Sequence, residues 1–559
     1  MKSYIHYILF CGLFSLIISS CQNEKFFELQ RPPEFPWKSV SDFEMAPPQA
    51  YNAAFYGLGG WGGCYGEDLT LDYILSDVGG FIKGTSEGLN ADQLNLRNFT
   101  NPPDNSTFES NYTGINSINA ALDWFYETSN GDPFPTASEF NKEKNIKRIV
   151  GELHFMRAYF YFSLVRHNHP AYQPGQVNDF KALPYIIHVP KSQSEILSPK
   201  FGTTQEFYDL IEADLQKAVE MLPQKFETGM HPSYQYGRAN KFAAEALLAR
   251  VYMLMGKHSG AGKNNALAQL DDIIQNGQYE LEKNPIDNFT KDKDSYTNES
   301  KENIWYAFYA DAANMANGFS DLKKSYYTRC FPWNDGGGGK GVHFNYCGWH
   351  QYFLSEYMCK RIGWWDADST LTISAKRDKR FEQTYYFFLG RNKYKGEGVP
   401  PDSIYDPHPK VNYNTLYVDK YFREKNTPSA NMPVIRYAEI LLNRTILRFR
   451  AGDKQGAADD LNQIRKRAWD DKVAGMDYES STEFLTGSNI TEEIIHTERI
   501  KELSGEVEWI PYLQSLQLPI TLGDRKETEV VPGMGVVNPP YKGWYWPISP
   551  QELQFYLSK

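Results

Sequence analysis

Two stretches of the chain set aromatic rings, amides and glycines side by side. The first, residues 57–90, carries Trp61, Tyr65, Phe81 and Asn90. The second, residues 325–353, carries Tyr326, Tyr327, Trp333, Asn334, Tyr346 and Trp349. Such a set can capture a ligand that has a flat apolar ring face, such as a sugar. The ligand's C–H face packs on a ring while planar polar side chains bond its hydroxyls. Glycines beside the rings let a ligand approach the backbone. Trp349 and Trp333 lead the set. Any one ring taken singly is better read as a plug holding its own loop to the scaffold; capture needs only one or two of them.

Bond-breaking chemistry has weaker support. Asp366 with Asp368, and Asp459 with Asp460, are carboxylate pairs. The two acids of a glycoside hydrolase face each other across the scissile bond, about 5–9.5 Å apart, and come from separate elements. Sequence neighbours on a loop or a helix surface do not meet that requirement. Asp292, Asp294 and Glu299 open like a calcium loop, but the glycine and the closing glutamate are missing from their places. His167 and His169 are spaced wrongly for a zinc helix and are read as caps on helix-end carbonyls. The run Gly336–Gly339 lacks the Lys-Ser/Thr pair of a phosphate loop. No catalytic residue, metal site or cofactor is therefore expected.

The chain has 559 residues and a formal net charge of −11, which argues against nucleic acid as a partner. Its N-terminus begins with Lys2, an apolar run from Tyr7 to Ile18, and then Ser19-Ser20-Cys21. That is a secretory signal, too short to span a bilayer comfortably. The ending Ile18-Ser19-Ser20-Cys21 looks like a lipobox, in which Cys21 is lipidated and becomes the mature terminus. Residues 1–20 are expected to be cleaved, and 21–48, rich in proline, to form a tether. Of the remaining cysteines, Cys330 and Cys347 flank the glycine-rich loop, where a disulfide is an open alternative in an exported protein.

The body, 49–559, must hold the aromatic stretches in place, and helical patterns supply most of it. Thr203 and Glu206 fit a capping box, followed by Phe207, Leu210, Ile211, Leu215, Ala218 and Leu222 at helical spacing. Residues 237–258 give a wide alanine-lined stripe, as of a helix contacted on several sides. Residues 149–167 read as a long aromatic-rich helix. Residues 431–452 read as one helix closed by Gly452, with another over 453–468. Helix, short turn and alanine-led helix is the layout of a tetratricopeptide-type repeat. The body divides into an N-terminal part (49–279), a loop-rich insertion (280–432) and a C-terminal helical part (433–559). Charged residues on the repeat helices are read as solvated faces.

Five blocks in order resemble the SusD/RagB family of Bacteroidetes outer-membrane lipoproteins. They are GELHFMRAYFYFSLVRHNHPAYQPG with ALPYIIHVP; GRANKFAAEALLARVYMLMGKH; MPVIRYAEILLNRTILRFRAG with LNQIRKRA; ITEEIIHTERIKELSGE, containing Glu498, Arg499, Glu502, Leu503 and Glu506; and YWPISPQEL. Trp509 and Tyr512 stand where the family has Arg and Asp. The resemblance implies a mainly α fold of four tetratricopeptide-like helix pairs with large loop insertions. It implies a lipid-anchored place on the outer face of the outer membrane and a SusC-like TonB-dependent transporter as partner. The implied activity is non-catalytic capture of oligosaccharide, or of peptide in the RagB branch, with ligand contacts drawn from loops in about the two aromatic stretches.

Overall fold

In the computed structural model the described residues are 37–55, 63–80, 96–102, 106–290, 300–307, 353–389, 393–394, 414–418, 420, 432–506 and 508–557. The main helices are α1 (Ala46–Phe55), α2 (Gly63–Leu75), α3 (Ser106–Asp123), α4 (Lys147–Asn168), α5 (Thr204–Met221), α6 (Lys241–Leu254), α7 (Ala266–Asn276), α8 (Tyr437–Arg450), α9 (Lys454–Ala468), α10 (Glu492–Leu503) and α11 (Trp509–Ser515). Eight of them pack in a row: α1 on α3, α3 on α4, α4 on α5, α5 on α6, α6 on α7, α7 on α8 and α8 on α9. These are four helix pairs, α1/α3, α4/α5, α6/α7 and α8/α9, and the mainly α, repeat-like architecture is the expected one. Helix α10 lies on α8, and α11 on α6 and α2.

Local chemistry sets the helix limits. Thr203 and Glu206 form the capping box that starts α5, with the Glu206 amide donating to Thr203 Oγ1 at 3.0 Å and the Thr203 amide to Glu206 Oε2 at 2.8 Å. Helix α6 is buried from Phe242 to Leu254, so its alanines admit neighbours on every side. Helices α4 and α5 approach closely at Gly151, where a Cβ would lie 2.9 Å from that of Met221. Gly452, at φ +91°, ends α8 in the left-handed conformation that suits glycine.

Three readings need correction. Residues 432–436 are not the start of α8. They form strand β9 (Met432–Arg436), paired antiparallel with β4 (Asn303–Ala307). The proline-rich tether does not extend to 48. Ser39 caps a helical turn, Phe43 is fully buried, and Glu44 is ion-paired to Arg148 and Arg238 inside the fold. Nor are the repeat-helix charges all solvated. On α4, Arg148 and Glu152 are buried and paired at 2.5 Å, and Arg157 holds Asp214 of α5 at 2.8 Å.

The insertion contributes a small sheet. Its strands are β1 (Gly79–Gly80), β5 (Phe353–Leu354), β8 (Asn414–Val418), β6 (Tyr385–Leu389) and β7 (Lys393–Tyr394), in that spatial order. A separate pair, β2 (Lys181–Pro184) with β3 (Phe201–Thr203), leads into α5.

Candidate functional site

Trp61, Phe81, Asn90, Tyr326, Tyr327, Trp333, Asn334, Tyr346 and Trp349 lie outside the described residues, as do Cys21, Cys330, Cys347, Asp292, Asp294, Glu299 and the run 336–339. Tyr65 is described, and it belongs to the core. Its ring is buried and packs edge-on to Phe55 at 5.7 Å, and its hydroxyl donates to the Pro433 carbonyl at 2.8 Å. It ties α2 to β9 and offers no face to a ligand.

What the structure does describe is the frame from which both aromatic stretches depart. Strand β1 pairs with β5, Gly79 opposite Leu354 and Gly80 opposite Phe353. Gly80 and Phe353 are therefore neighbours in one sheet, although some 270 residues separate them in sequence (roughly the difference of their numbers). Gly79 is required there, because a Cβ would lie 2.6 Å from the Tyr73 carbonyl oxygen. The Ser355 amide donates to the Val78 carbonyl at 2.8 Å, and its hydroxyl donates to the Asp77 carbonyl at 2.7 Å.

The C-terminal segment locks this root. Arg97 donates to the carbonyls of Leu75 (3.1 Å), Met534 (3.1 Å), Gly535 (2.5 Å) and Thr521 (2.5 Å). Arg525 donates to the Ile74 and Ser76 carbonyls. Burial, and then the proximity of the two guanidiniums, pulls Arg97 down to about 9. Asp77 accepts from Trp509 Nε1 at 2.7 Å and from the Thr521 hydroxyl. Asp72 accepts from the amides of Glu508, Trp509 and Ile510 at 3.1, 2.9 and 2.7 Å, the open start of α11. Trp509 and Tyr512, the two departures in the fourth block, are thus structural. Tyr512 bonds His496 Nδ1 at 2.8 Å and lies under Arg499 at 4.2 Å.

The second root, where the chain leaves β4 and returns through β9, is held by charge. Glu302, just before β4, takes Arg436 Nη1 at 2.6 Å and Arg467 at 2.9 Å. Glu502 takes Arg436 at 2.7 Å, Arg380 at 3.2 Å and also Arg467. Glu506 takes Arg436 at 2.6 Å and Lys420 at 2.5 Å. Glu498 takes Arg380 at 2.5 Å and Arg465 at 3.0 Å. Burial alone would raise the Glu498, Glu502 and Glu506 carboxyls; the surrounding cations outweigh it, holding Glu506 below its ordinary value, Glu502 well below it and Glu498 at about 2. Burial lowers the Lys420 ammonium to about 8. The pattern Glu498, Glu502, Glu506 marks one helix face continued into the following turn. Its role was not visible in sequence, because its partners come from remote segments.

The other chemical candidates resolve into structure. Asp366 accepts the amides of Asp368 (3.0 Å) and Thr370 (2.9 Å) in its own turn. Asp460 is taken by Arg444 at 2.6 Å and Arg448 at 3.1 Å. The histidines are not carbonyl caps: His167 pairs with Asp68 at 2.6 Å and His169 with the Thr204 hydroxyl at 2.9 Å. Asp123, Glu127 and His188 lie within ligand distance of one another, but Lys191 already pairs with Glu127 at 3.0 Å. A cavity under Trp544 and Trp546, beside Asp68 and Arg166, measures about 30 Å³. No helix among the described residues is long and apolar enough to cross a membrane.

Residues 82–253 match a SusD-like family described as starch-binding and associating with the outer membrane, and 273–508 match the SusD family. The chain is 24% identical over 458 residues to a SusD-like protein P2 of Formosa agariphila, covering 78% of this chain and 76% of the relative. Its fold is similar to a SusD superfamily protein of Bacteroides thetaiotaomicron (TM-score 0.65, 19% identity, 92% of this chain and 98% of the other). It is similar also to surface glycan-binding protein A of Bacteroides uniformis (TM-score 0.60, 19% identity, 92% and 98%).

Proposed function

Since the chain belongs to the SusD/RagB family, we propose that it is a non-catalytic, cell-surface glycan-binding lipoprotein, anchored through Cys21, that captures oligosaccharide and delivers it to a SusC-like TonB-dependent transporter. The observation that carries the capture reading is the pairing of β1 with β5. The strand that leads into Phe81 and the strand that follows Trp349 are paired on one sheet, which supports a shared binding surface for the two stretches. Two buried lattices of guanidiniums, one on backbone carbonyls and one on carboxylates, hold those roots against the helical row. A preorganised base is what passive capture requires, since binding then spends little on ordering the scaffold. Asp366 and Asp460, one member of each carboxylate pair, are taken up in structural bonds, which favours binding over hydrolysis.

The test is affinity electrophoresis and calorimetry of the mature chain against a panel of polysaccharides, with Trp349→Ala and Trp333→Ala as variants. Saturable binding to a glycan, weakened by about 1–3 kcal/mol in either variant through loss of stacking area, is the expected result. Binding to peptides with none to any glycan would move the protein to the RagB-type branch. Release of reducing ends by the pure protein would make it an enzyme. Mass spectrometry of the native protein is expected to find an acylated Cys21 at the mature terminus.

A further inference from the structure

A second site lies away from the loop roots, between the segment 374–380, α9 and α10. A cavity of about 30 Å³ is lined there by Ser374, Arg377, Asp378, Arg380, Arg465, Ala468, Trp469, Tyr478, Glu483, Glu498 and Lys501. Its carboxylates are all taken. Arg380 holds Asp378 at 2.7 Å and Glu498 at 2.5 Å, and Arg465 holds Glu498 and Glu483, each at 3.0 Å. Arg377 and Lys501 have no such partner. Among the described residues neither makes a side-chain hydrogen bond or an ion pair, and Arg377 Nε is buried and unbonded. The Arg377 guanidinium rests over the Trp469 ring at 6.0 Å, which fixes its plane without neutralising its charge. Four cations and three carboxylates line the cavity, so one positive charge is in excess. Burial presses the Lys501 ammonium downward and Glu498 and Asp378 only partly restore it, the mark of a cation lacking a direct counter-ion. Both residues are half-buried and line a cavity that opens to solvent.

We infer that Arg377 and Lys501 form a binding site for a small oxyanion, a sulfate or carboxylate group, with the Ser374 hydroxyl as a further donor. A planar guanidinium and an ammonium together present the fork and the point charge that such a group accepts. The site is independent of the glycan reading, and its test does not depend on any glycan.

Equilibrium dialysis of the full mature chain with radiolabelled sulfate, at constant ionic strength in sodium chloride, measures it directly. About one equivalent bound saturably is expected, displaced by acetate and by glucuronate. Arg377→Gln and Lys501→Gln should each weaken sulfate binding about tenfold or more, as loss of a charge-assisted bond does. Lys501→Arg, which keeps the charge, should retain it. Circular dichroism checks that each variant is folded. No saturable binding to the wild type overturns the inference, as does binding that survives both glutamine substitutions in folded protein.

Discussion

Glu502→Gln tests whether the carboxylate lattice at the second loop root stabilises the fold. Glu502 is buried among Arg380, Arg436 and Arg467. The amide removes the charge and turns one acceptor oxygen into a donor group facing guanidiniums. Three cations then share the remaining buried carboxylates. Breaking a buried ion pair from one side costs about 3–5 kcal/mol, because the stranded charge keeps its desolvation penalty. The comparison is Glu492→Gln, which removes the exposed pair with Arg450 (2.6 Å, side chains 33% and 29% exposed) and should cost about 0–1 kcal/mol. Urea unfolding at pH 7, followed by tryptophan fluorescence, ranks the two. The pH dependence supplies a second readout. Glu502 is held well below its usual range in the folded state, so its contribution is complete above the unfolded value of about 4.3 and is lost as pH falls through the folded value. Wild type should therefore lose stability from about pH 4 downward more steeply than Glu502→Gln. Equal urea midpoints for Glu502→Gln and Glu492→Gln would show that the lattice contributes no more than a surface pair, and the account of the second root would fail.

Other perturbations probe the scaffold. Thr203→Ala removes half of the capping box on α5 and should cost about 0.5–2 kcal/mol in urea unfolding, whereas Thr203→Ser should cost little. Gly151→Ala gains about 1 kcal/mol of helix propensity but drives a methyl to 2.9 Å from Met221 Cβ. Overpacking should win and leave the variant about 1–3 kcal/mol less stable, and a more stable variant would contradict the described α4–α5 approach. Burial pushes His169 down to about 3, against about 6.5 in the unfolded chain. Its contribution to stability is complete above about pH 6.5 and erodes toward pH 3, and its imidazole should remain neutral at pH 5 by NMR of histidine-labelled protein.

The helices were legible where their determinants are local. Thr203 and Glu206 are three residues apart, and the apolar stripe of α5 repeats within one window. The alanine-rich pattern of α6 points to a helix contacted on several sides, and the helix is buried from Phe242 to Leu254. Strand β9 was hidden because Met432–Arg436 runs into α8 with no turn residue between them, and its partner β4 lies far upstream. Tyr65 resembled a loop aromatic because glycines surround it; its acceptor, the Pro433 carbonyl, is remote. The charges of α4 and α10 follow the spacing of solvated faces, and only the arrival of Arg238, Arg380, Arg436 and Arg467 from other segments buries them. Contacts between distant segments decide burial, and periodicity within one helix does not encode them.

The rungs at Gly79–Leu354 and Gly80–Phe353 join main chain to main chain, so they place few demands on which residues follow. Doubling the length of a flexible loop costs only about 0.6 kcal/mol in closure entropy. A change of length or residue type after 80 or before 353 therefore leaves these rungs themselves unaltered. The rungs can in this way keep their register on the helical stack while the sequence beyond them varies.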